Sequence, residues 1–191
     1  MRLYRLLTRW WTAFALLASL AMLGAAHAFE RFMGLAPCNL CLKQREVYWA
    51  AAAIALLATL WHLASRGSRG TPRIAAFLLF AVFTTGAITA GFHMGGENQW
   101  WELPAACAGG ADVAGLEALR AFALGTAPEV KPAMCDAVVW SFAGLSMAGW
   151  NVLISVVLAV FSLLAAKRPK VARAPSGETL QAMKLEPAAG D

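Results

Sequence analysis

Four long stretches without a charged residue constrain the fold of this chain more than any other feature. They cover residues 10–29, 47–65, 74–96 and 137–166. Each is at least as long as the roughly 18 apolar residues that a helix needs to cross the hydrocarbon core of a bilayer. Only 14% of the residues are charged, whereas a soluble domain carries about 25%. The pattern predicts an all-α membrane protein.

We expect four transmembrane helices that form one domain over residues 1–166. The predicted spans are about 10–29, 46–65, 74–94 and 146–166. The last uncharged run is too long for a single span, so its first part is expected to lie along the membrane interface. Residues 167–191 contain proline, alanine and charge without periodicity, which predicts a disordered tail.

Basic residues predict the orientation of the spans. They form three clusters: Arg2, Arg5 and Arg9; Arg66, Arg69 and Arg73; and Lys167, Arg168, Lys170 and Arg173. With four spans, all three clusters fall on one side, which the positive-inside rule makes the cytoplasm. The formal net charge of +5 is therefore a topology signal, and no nucleic-acid partner is expected.

The N-terminus has a second interpretation. Its basic residues, its apolar run and Ala26-His27-Ala28 resemble a signal peptide with an A-x-A cleavage site. The apolar run of about 20 residues exceeds the roughly 7–15 of such a peptide, so we expect the first span to be retained.

All four cysteines fall in the two external segments. Cys38 and Cys41 form a C-x-x-C pair before the second span, and Cys107 and Cys135 lie in the long segment between the third and fourth. An even number of cysteines on the oxidising side suits disulfides. Four cysteines permit three pairings, which sequence alone does not distinguish. The short C-x-x-C favours Cys38–Cys41 with Cys107–Cys135.

The C-x-x-C pair lies beside a permanent positive charge. With Asn39 as a candidate N-cap, Cys41 falls in the first helical turn, where the helix dipole favours a thiolate. Arg45 follows one turn later on the same face. These residues point to electron transfer between thiols and a molecule dissolved in lipid. His93 ends the third span and could lie at the depth of Arg45, although an interfacial histidine is more often simply solvated.

Two other interpretations of the cysteines stay open. Both pairs could be inert braces, but a C-x-x-C loop closes almost no chain and stabilises little. The loop from Cys107 to Cys135 would be a reasonable brace. Zinc held by four cysteines is disfavoured because the second pair lacks the usual ligand spacing and disulfide formation competes. No metal is expected.

These features resemble the DsbB family of bacterial inner-membrane disulfide-generating proteins over most of the chain. The resemblance depends on Pro37-Cys38-x-Leu40-Cys41-x-x-x-Arg45, on four spans with both termini inside, and on two cysteines in a long second loop. His93 and Trp140-x-Phe142-x-Gly144-Leu145-x-Met147 are also similar. Gln44 departs from the acidic residue associated with its position, and the tail is longer than expected.

The resemblance implies a four-transmembrane-helix bundle with a long second periplasmic loop. It also implies a thiol:quinone oxidoreductase that reoxidises DsbA, a periplasmic thioredoxin-fold dithiol oxidase. The partner's thiolate would attack Cys107, which a soluble protein should reach because this cysteine lies in the long, glycine-rich loop beside Gly109 and Gly110. Cys135 would be the disulfide mate of Cys107. Cys38 and Cys41 would receive the electrons by thiol exchange.

The cofactor implied is a membrane quinone, either ubiquinone or menaquinone. Cys41 would pass the electrons to it and Arg45 would hold a quinone oxygen, with His93 as a further candidate in the binding site. The alternatives are a structural membrane protein with bracing disulfides and an enzyme like vitamin K epoxide reductase. In the latter we would expect the C-x-x-C after the loop cysteines, whereas here it comes first.

Overall fold

The computed structural model describes residues 7–65, 72–104, 107, 124 and 134–167. Within them, four long helices are α1 (Trp11–Met33), α2 (Asn39–Ala64), α3 (Arg73–Glu97) and α4 (Met147–Lys167). All four are long and apolar enough to cross a membrane, which confirms the predicted all-α four-helix architecture. Most of the predicted second loop, and the tail predicted to be disordered, lie outside the described residues.

Small side chains let the helices pack closely. Helix α2 packs against both α1 and α3, and α3 also packs extensively against α4. Ala51, Ala55 and Ala76 are completely buried at these contacts. Lipid is as apolar as leucine, so close packing of small residues is a main source of helix association in a bilayer. Leu79 and Phe83 fill the remaining space in the core.

The interior of the bundle is partly polar, whereas its surface is apolar. Ser155 and Ser162 are completely buried, whereas Leu57 and Ile88 are 68% exposed. The Trp11 indole Nε1 donates a hydrogen bond to Ser162 Oγ over 2.9 Å. An apolar exterior with internally bonded polar groups is what lipid requires, so the helix surfaces are suited to contact with acyl chains.

Two helix ends differ from the sequence prediction. Helix α1 continues through the charged residues after position 29 and ends at Met33. Its C-cap is Gly34, whose positive φ of 66° suits glycine. Helix α2 is capped by Cys38, so the prediction of Asn39 as the cap was wrong by one residue. The sulfur of Cys38 accepts a hydrogen bond from the Cys41 backbone N–H over 3.3 Å.

The segment before α4 contains a β-hairpin, which the sequence analysis did not predict. Its strands are β1 (Ser141–Phe142) and β2 (Leu145–Ser146), paired antiparallel. Ala143 and Gly144 form the turn with φ of 52° and 80°, the sign that a type I′ turn requires at both positions. The Trp150 indole donates to Phe142 O over 3.0 Å and thereby ties the hairpin to α4.

Candidate functional site

A cavity of about 380 Å³ lies at the end of the bundle where α2 and α4 begin and α3 ends. Its walls are mostly apolar side chains from α1, α4 and residues 134–142. Polar groups enter from α2 and α3. Its volume and lining suit a small-molecule site, since such sites are typically about 300–1,000 Å³ and mostly apolar.

Cys38 lies at the centre of a cysteine cluster beside this cavity. Its Sγ is 3.1 Å from Cys41 Sγ and donates a hydrogen bond to it. Its Sγ is also within 4.8 Å of Cys135 Sγ. Cys38, Cys107 and Cys135 pack together as one buried group, with Cys41 against it. The four cysteines are not bonded to one another in the structure.

The cluster is more enclosed than the sequence suggested. Cys107 was expected to be open to a soluble partner because it lies in a long, glycine-rich loop, but the structure contradicts this. Cys107 is only 7% exposed and Cys135 only 1%. Both side chains pack against Cys38, with Leu40 and Leu103 around them, and the Cys135 N–H donates to Cys107 O over 3.0 Å.

Enclosure also changes the ionisation of the thiols outside the helices. The hydrogen bond between Cys38 and Cys41, together with burial, raises the pKa of Cys38 to about 12. Burial is the main cause that raises the pKa of Cys107 to about 11. Burial likewise raises the pKa of Cys135. All three shifts favour the neutral thiol over the thiolate, which is the form that attacks a disulfide.

Arg45 lines the same cavity as Cys41, as expected for residues four positions apart on one helix face. Its Nη1 donates to Glu30 Oε2 over 2.6 Å, and its Nη2 donates to Ala26 O over 3.2 Å. Only 15% of the Arg45 side chain is exposed. Both contacts come from α1, so α1 fixes the guanidinium beside the cavity.

His93 joins the cysteine cluster, which is closer than the sequence argument supposed. The ring is 5% exposed, and its Nε2 lies 3.7 Å from Cys38 Sγ. Gln44 Nε2 lies 3.0 Å from His93 Nδ1. An amide nitrogen can only donate, so in this arrangement the neutral ring carries its proton on Nε2, which faces the sulfur.

A chain of buried polar groups holds Gln44 in place. Asn151 donates from its side-chain amide to Gln44 Oε1. The Asn151 oxygen accepts from Tyr48 OH and, over 3.2 Å, from Ser155 Oγ. Buried polar networks whose members are all bonded are rigid, so this network orients His93 from the interior of the bundle.

Glu97 places a carboxylate near Nε2 of His93, the ring nitrogen that does not contact Gln44. Its Oε1 is 3.9 Å from His93 Nε2, and its side chain is 4% exposed. Ser146 donates its hydroxyl to Glu97 and accepts from the Gly149 backbone N–H over 3.1 Å. Ser146 thus caps α4 and links the start of that helix to the end of α3.

The structure therefore brings all six predicted site residues to one end of the bundle, on or next to the cavity. Four polar residues near the cavity were not predicted from the sequence as site residues: Glu30, Gln44, Glu97 and Asn151. Asn151 carried a usable signal, since a side-chain amide inside an apolar span is rare and usually functional. Gln44 was noticed only as a departure from a family pattern.

The chain is similar to disulfide bond formation proteins over nearly its whole described length. The family model "Disulfide bond formation protein DsbB" matches residues 8–165. A relative named disulfide bond formation protein B from Marinobacter nauticus is 33% identical, covering 85% of this chain and 96% of the relative.

Two further relatives carry the same name. The protein from Aromatoleum aromaticum is 31% identical over 78% of this chain and 86% of the relative. The protein from Methylococcus capsulatus is 32% identical over 75% of this chain and 85% of the relative. No solved structure gives a significant match. A match of this extent, together with four membrane helices and a cysteine cluster at one end of them, shows that the chain belongs to the DsbB family of disulfide bond formation membrane proteins.

Proposed function

We propose that this protein is a thiol:quinone oxidoreductase of the bacterial inner membrane. It reoxidises a DsbA-like periplasmic dithiol oxidase and passes the electrons to ubiquinone or menaquinone. The observation that carries the proposal is the position of Cys38, whose sulfur is 3.1 Å from Cys41 Sγ and within 4.8 Å of Cys135 Sγ. Family membership supports the disulfide-forming part of this role.

The first step takes place at the Cys107–Cys135 disulfide. A thiolate of the reduced partner attacks Cys107 and releases Cys135 as a thiolate. The partner's second thiol then resolves the mixed disulfide, so that the partner leaves oxidised and Cys107 and Cys135 remain as a dithiol. Because Cys107 is buried, the partner must displace the groups that cover it.

The second step moves two electrons toward the membrane. Cys135 attacks Cys38 of the Cys38–Cys41 disulfide and releases Cys41 as a thiolate. Attack of Cys107 on Cys135 then restores the first disulfide and leaves Cys38 and Cys41 reduced. The proton on His93 Nε2 faces Cys38 Sγ and stabilises negative charge on it.

The third step restores the Cys38–Cys41 disulfide. Quinone supplies the acceptor for two electrons and two protons. The residues suit a quinone because the cavity is mostly apolar and is bordered by Cys41 and by the cation of Arg45. In a low-dielectric site that charge stabilises a developing anion more than it would in water.

We also propose that both termini are cytoplasmic, which puts all four cysteines on the periplasmic side.

Variants that each lack one cysteine test the separate roles proposed for the two cysteine pairs. Cys135→Ser leaves Cys107 as a free thiol, so it should accumulate a mixed disulfide at Cys107 when it is mixed with the oxidised form of a DsbA-like protein, whose own disulfide Cys107 attacks. Cys41→Ser should still permit linkage at Cys107 but should deliver no electrons to quinone. The matched control is Cys107→Ser, which should capture no partner.

The linkage is identified by non-reducing electrophoresis and peptide mass spectrometry. A partner attached stably to Cys38 or Cys41, with Cys107 dispensable for turnover, would contradict the scheme. Disulfides that never open during incubation with the reduced partner would instead identify both pairs as structural braces.

A further inference from the structure

The cysteine cluster also contains a set of atoms that suits a metal ion. Cys38 Sγ, Cys135 Sγ and a ring nitrogen of His93 all lie within 4.8 Å of one another. The three residues are 4%, 1% and 5% exposed. They come from the start of α2, the segment before the hairpin and the last turns of α3. Their separation along the chain explains why no zinc-motif spacing appears in the sequence.

The spacing of these atoms is close to that of a tetrahedral zinc site. Zinc–sulfur bonds of about 2.3 Å and zinc–nitrogen bonds of about 2.0–2.1 Å place neighbouring ligand atoms roughly 3.5–3.8 Å apart. Cys38 Sγ lies 3.7 Å from His93 Nε2. Glu97 Oε1 lies 3.9 Å from the same nitrogen and is a candidate for the fourth position.

The surroundings can also orient the histidine for this purpose. Ligating histidines usually donate their second ring N–H to an acceptor. Gln44 lies 3.0 Å from His93 Nδ1, and a half-turn of its amide would present the oxygen to that nitrogen at the cost of the hydrogen bond that Gln44 Oε1 accepts from Asn151. The ring could then offer Nε2 to a metal without losing its other hydrogen bond.

We propose that Cys38, Cys135 and His93 bind one Zn²⁺ ion when the protein is fully reduced. Both sulfurs bind as thiolates, so each loses its proton to solvent and no electrons are transferred. A disulfide at either cysteine removes a ligand, and binding is therefore confined to the reduced state. If the proposed function is also correct, Zn²⁺ holds the enzyme reduced, because both bound sulfurs are needed for exchange.

The test measures metal binding without quinone or partner, so its result does not depend on the proposed function. Fully reduced and fully oxidised full-length protein in detergent are titrated with Zn²⁺ against a chromophoric chelator. The reduced protein should bind one Zn²⁺ and the oxidised protein none. Co²⁺ should give the visible bands of tetrahedral coordination and the near-ultraviolet band of thiolate ligation with the wild-type chain.

Variants identify the ligands. Cys38→Ser, Cys135→Ser and His93→Gln should each weaken Zn²⁺ binding by more than about 100-fold, since losing a group that merely orients a ligand already costs 10–100-fold. Cys107→Ser is the matched control, because it removes a buried neighbouring thiol that is outside the set, and it should bind like wild type. Circular dichroism checks that each variant is folded.

Several results would overturn the proposal. They are equal binding by oxidised and reduced protein, no binding by the reduced protein, or a cobalt spectrum without thiolate ligation. Unchanged affinity in Cys135→Ser or His93→Gln, or a loss in Cys107→Ser as large as in Cys135→Ser, would show that the ion binds elsewhere.

Discussion

Replacing Arg45 should damage the use of quinone while leaving thiol exchange intact. The contacts described for Arg45, to Glu30 and Ala26, use two of its five N–H donors. Further donors thus remain for a ligand in the cavity that Arg45 lines. A hydrogen bond to a charged group contributes about 1.5–3 kcal/mol, which corresponds to roughly a 10- to 150-fold change in rate.

We therefore expect Arg45→Gln to lower kcat/KM for quinone by about 10- to 150-fold. Arg45→Lys should recover only part of this loss, because lysine keeps the charge but lacks the planar fork of donors. The assay follows quinone absorbance at several quinone concentrations with reduced partner in excess. Exchange with the partner is measured separately, in a single turnover without quinone, and should be unchanged.

Glu30→Gln is the matched control for this prediction. It removes the carboxylate that orients Arg45 but keeps the cation, and Glu30 is 40% exposed. The loss should then be only about 1.5- to 5-fold, the range for partly exposed ion pairs. Wild-type kcat/KM in Arg45→Gln, or an equal slowing of the quinone-free exchange, would refute the role assigned to Arg45.

Four further predictions follow from other parts of the molecule. Ala143→Asn should stabilise the hairpin by about 1 kcal/mol, because asparagine tolerates positive φ in a type I′ turn; thermal unfolding by circular dichroism should show a higher Tm, and a lower Tm would contradict the turn geometry. Gly95→Ala should destabilise the protein by about 1–3 kcal/mol, because the added Cβ would overlap the Trp101 ring. In the control Gly91→Ala the added Cβ meets nothing within 4 Å, so equal Tm values for the two variants would argue against this packing. The pKa of Cys107 is raised to about 11, so its alkylation in the reduced protein should be at least about 100-fold slower than that of free cysteine at pH 8. The alkylation rate, measured by mass spectrometry, should keep rising with pH beyond pH 9. A rate that reaches a plateau near pH 9 would contradict this pKa. The mature protein should retain its first span, and a chain that begins at Phe29 in N-terminal sequencing would show cleavage instead.

The sequence predicted the helices well because membrane spans are encoded locally. A run of uncharged residues fixes a span through its own length and composition, so the predicted four-helix architecture agrees with the structure. The ends were less accurate. Helix α1 continues beyond the uncharged run to Met33, and its Glu30 pairs with Arg45. This contact between two helices leaves no local pattern.

Candidate site residues with distinctive chemistry could also be named from the sequence. Cysteine spacing and a cation beside it pointed to Cys38, Cys41 and Arg45. The burial of Cys107 and the contacts of Gln44 with His93 were not predictable, because both depend on residues far apart in the chain. The hairpin was missed for a related reason, since its turn uses Ala143 at a position where asparagine or glycine would have been recognised.

The most direct test of the central claim is the stoichiometry of thiol-dependent quinone reduction by the purified protein. Reduced DsbA-like partner is mixed with catalytic amounts of protein and excess quinone, and quinol and partner disulfide are counted together. The account predicts one quinol for each partner disulfide, and neither product above background with Cys41→Ser. Partner oxidation without quinol formation, or wild-type quinol formation by Cys41→Ser, would contradict it.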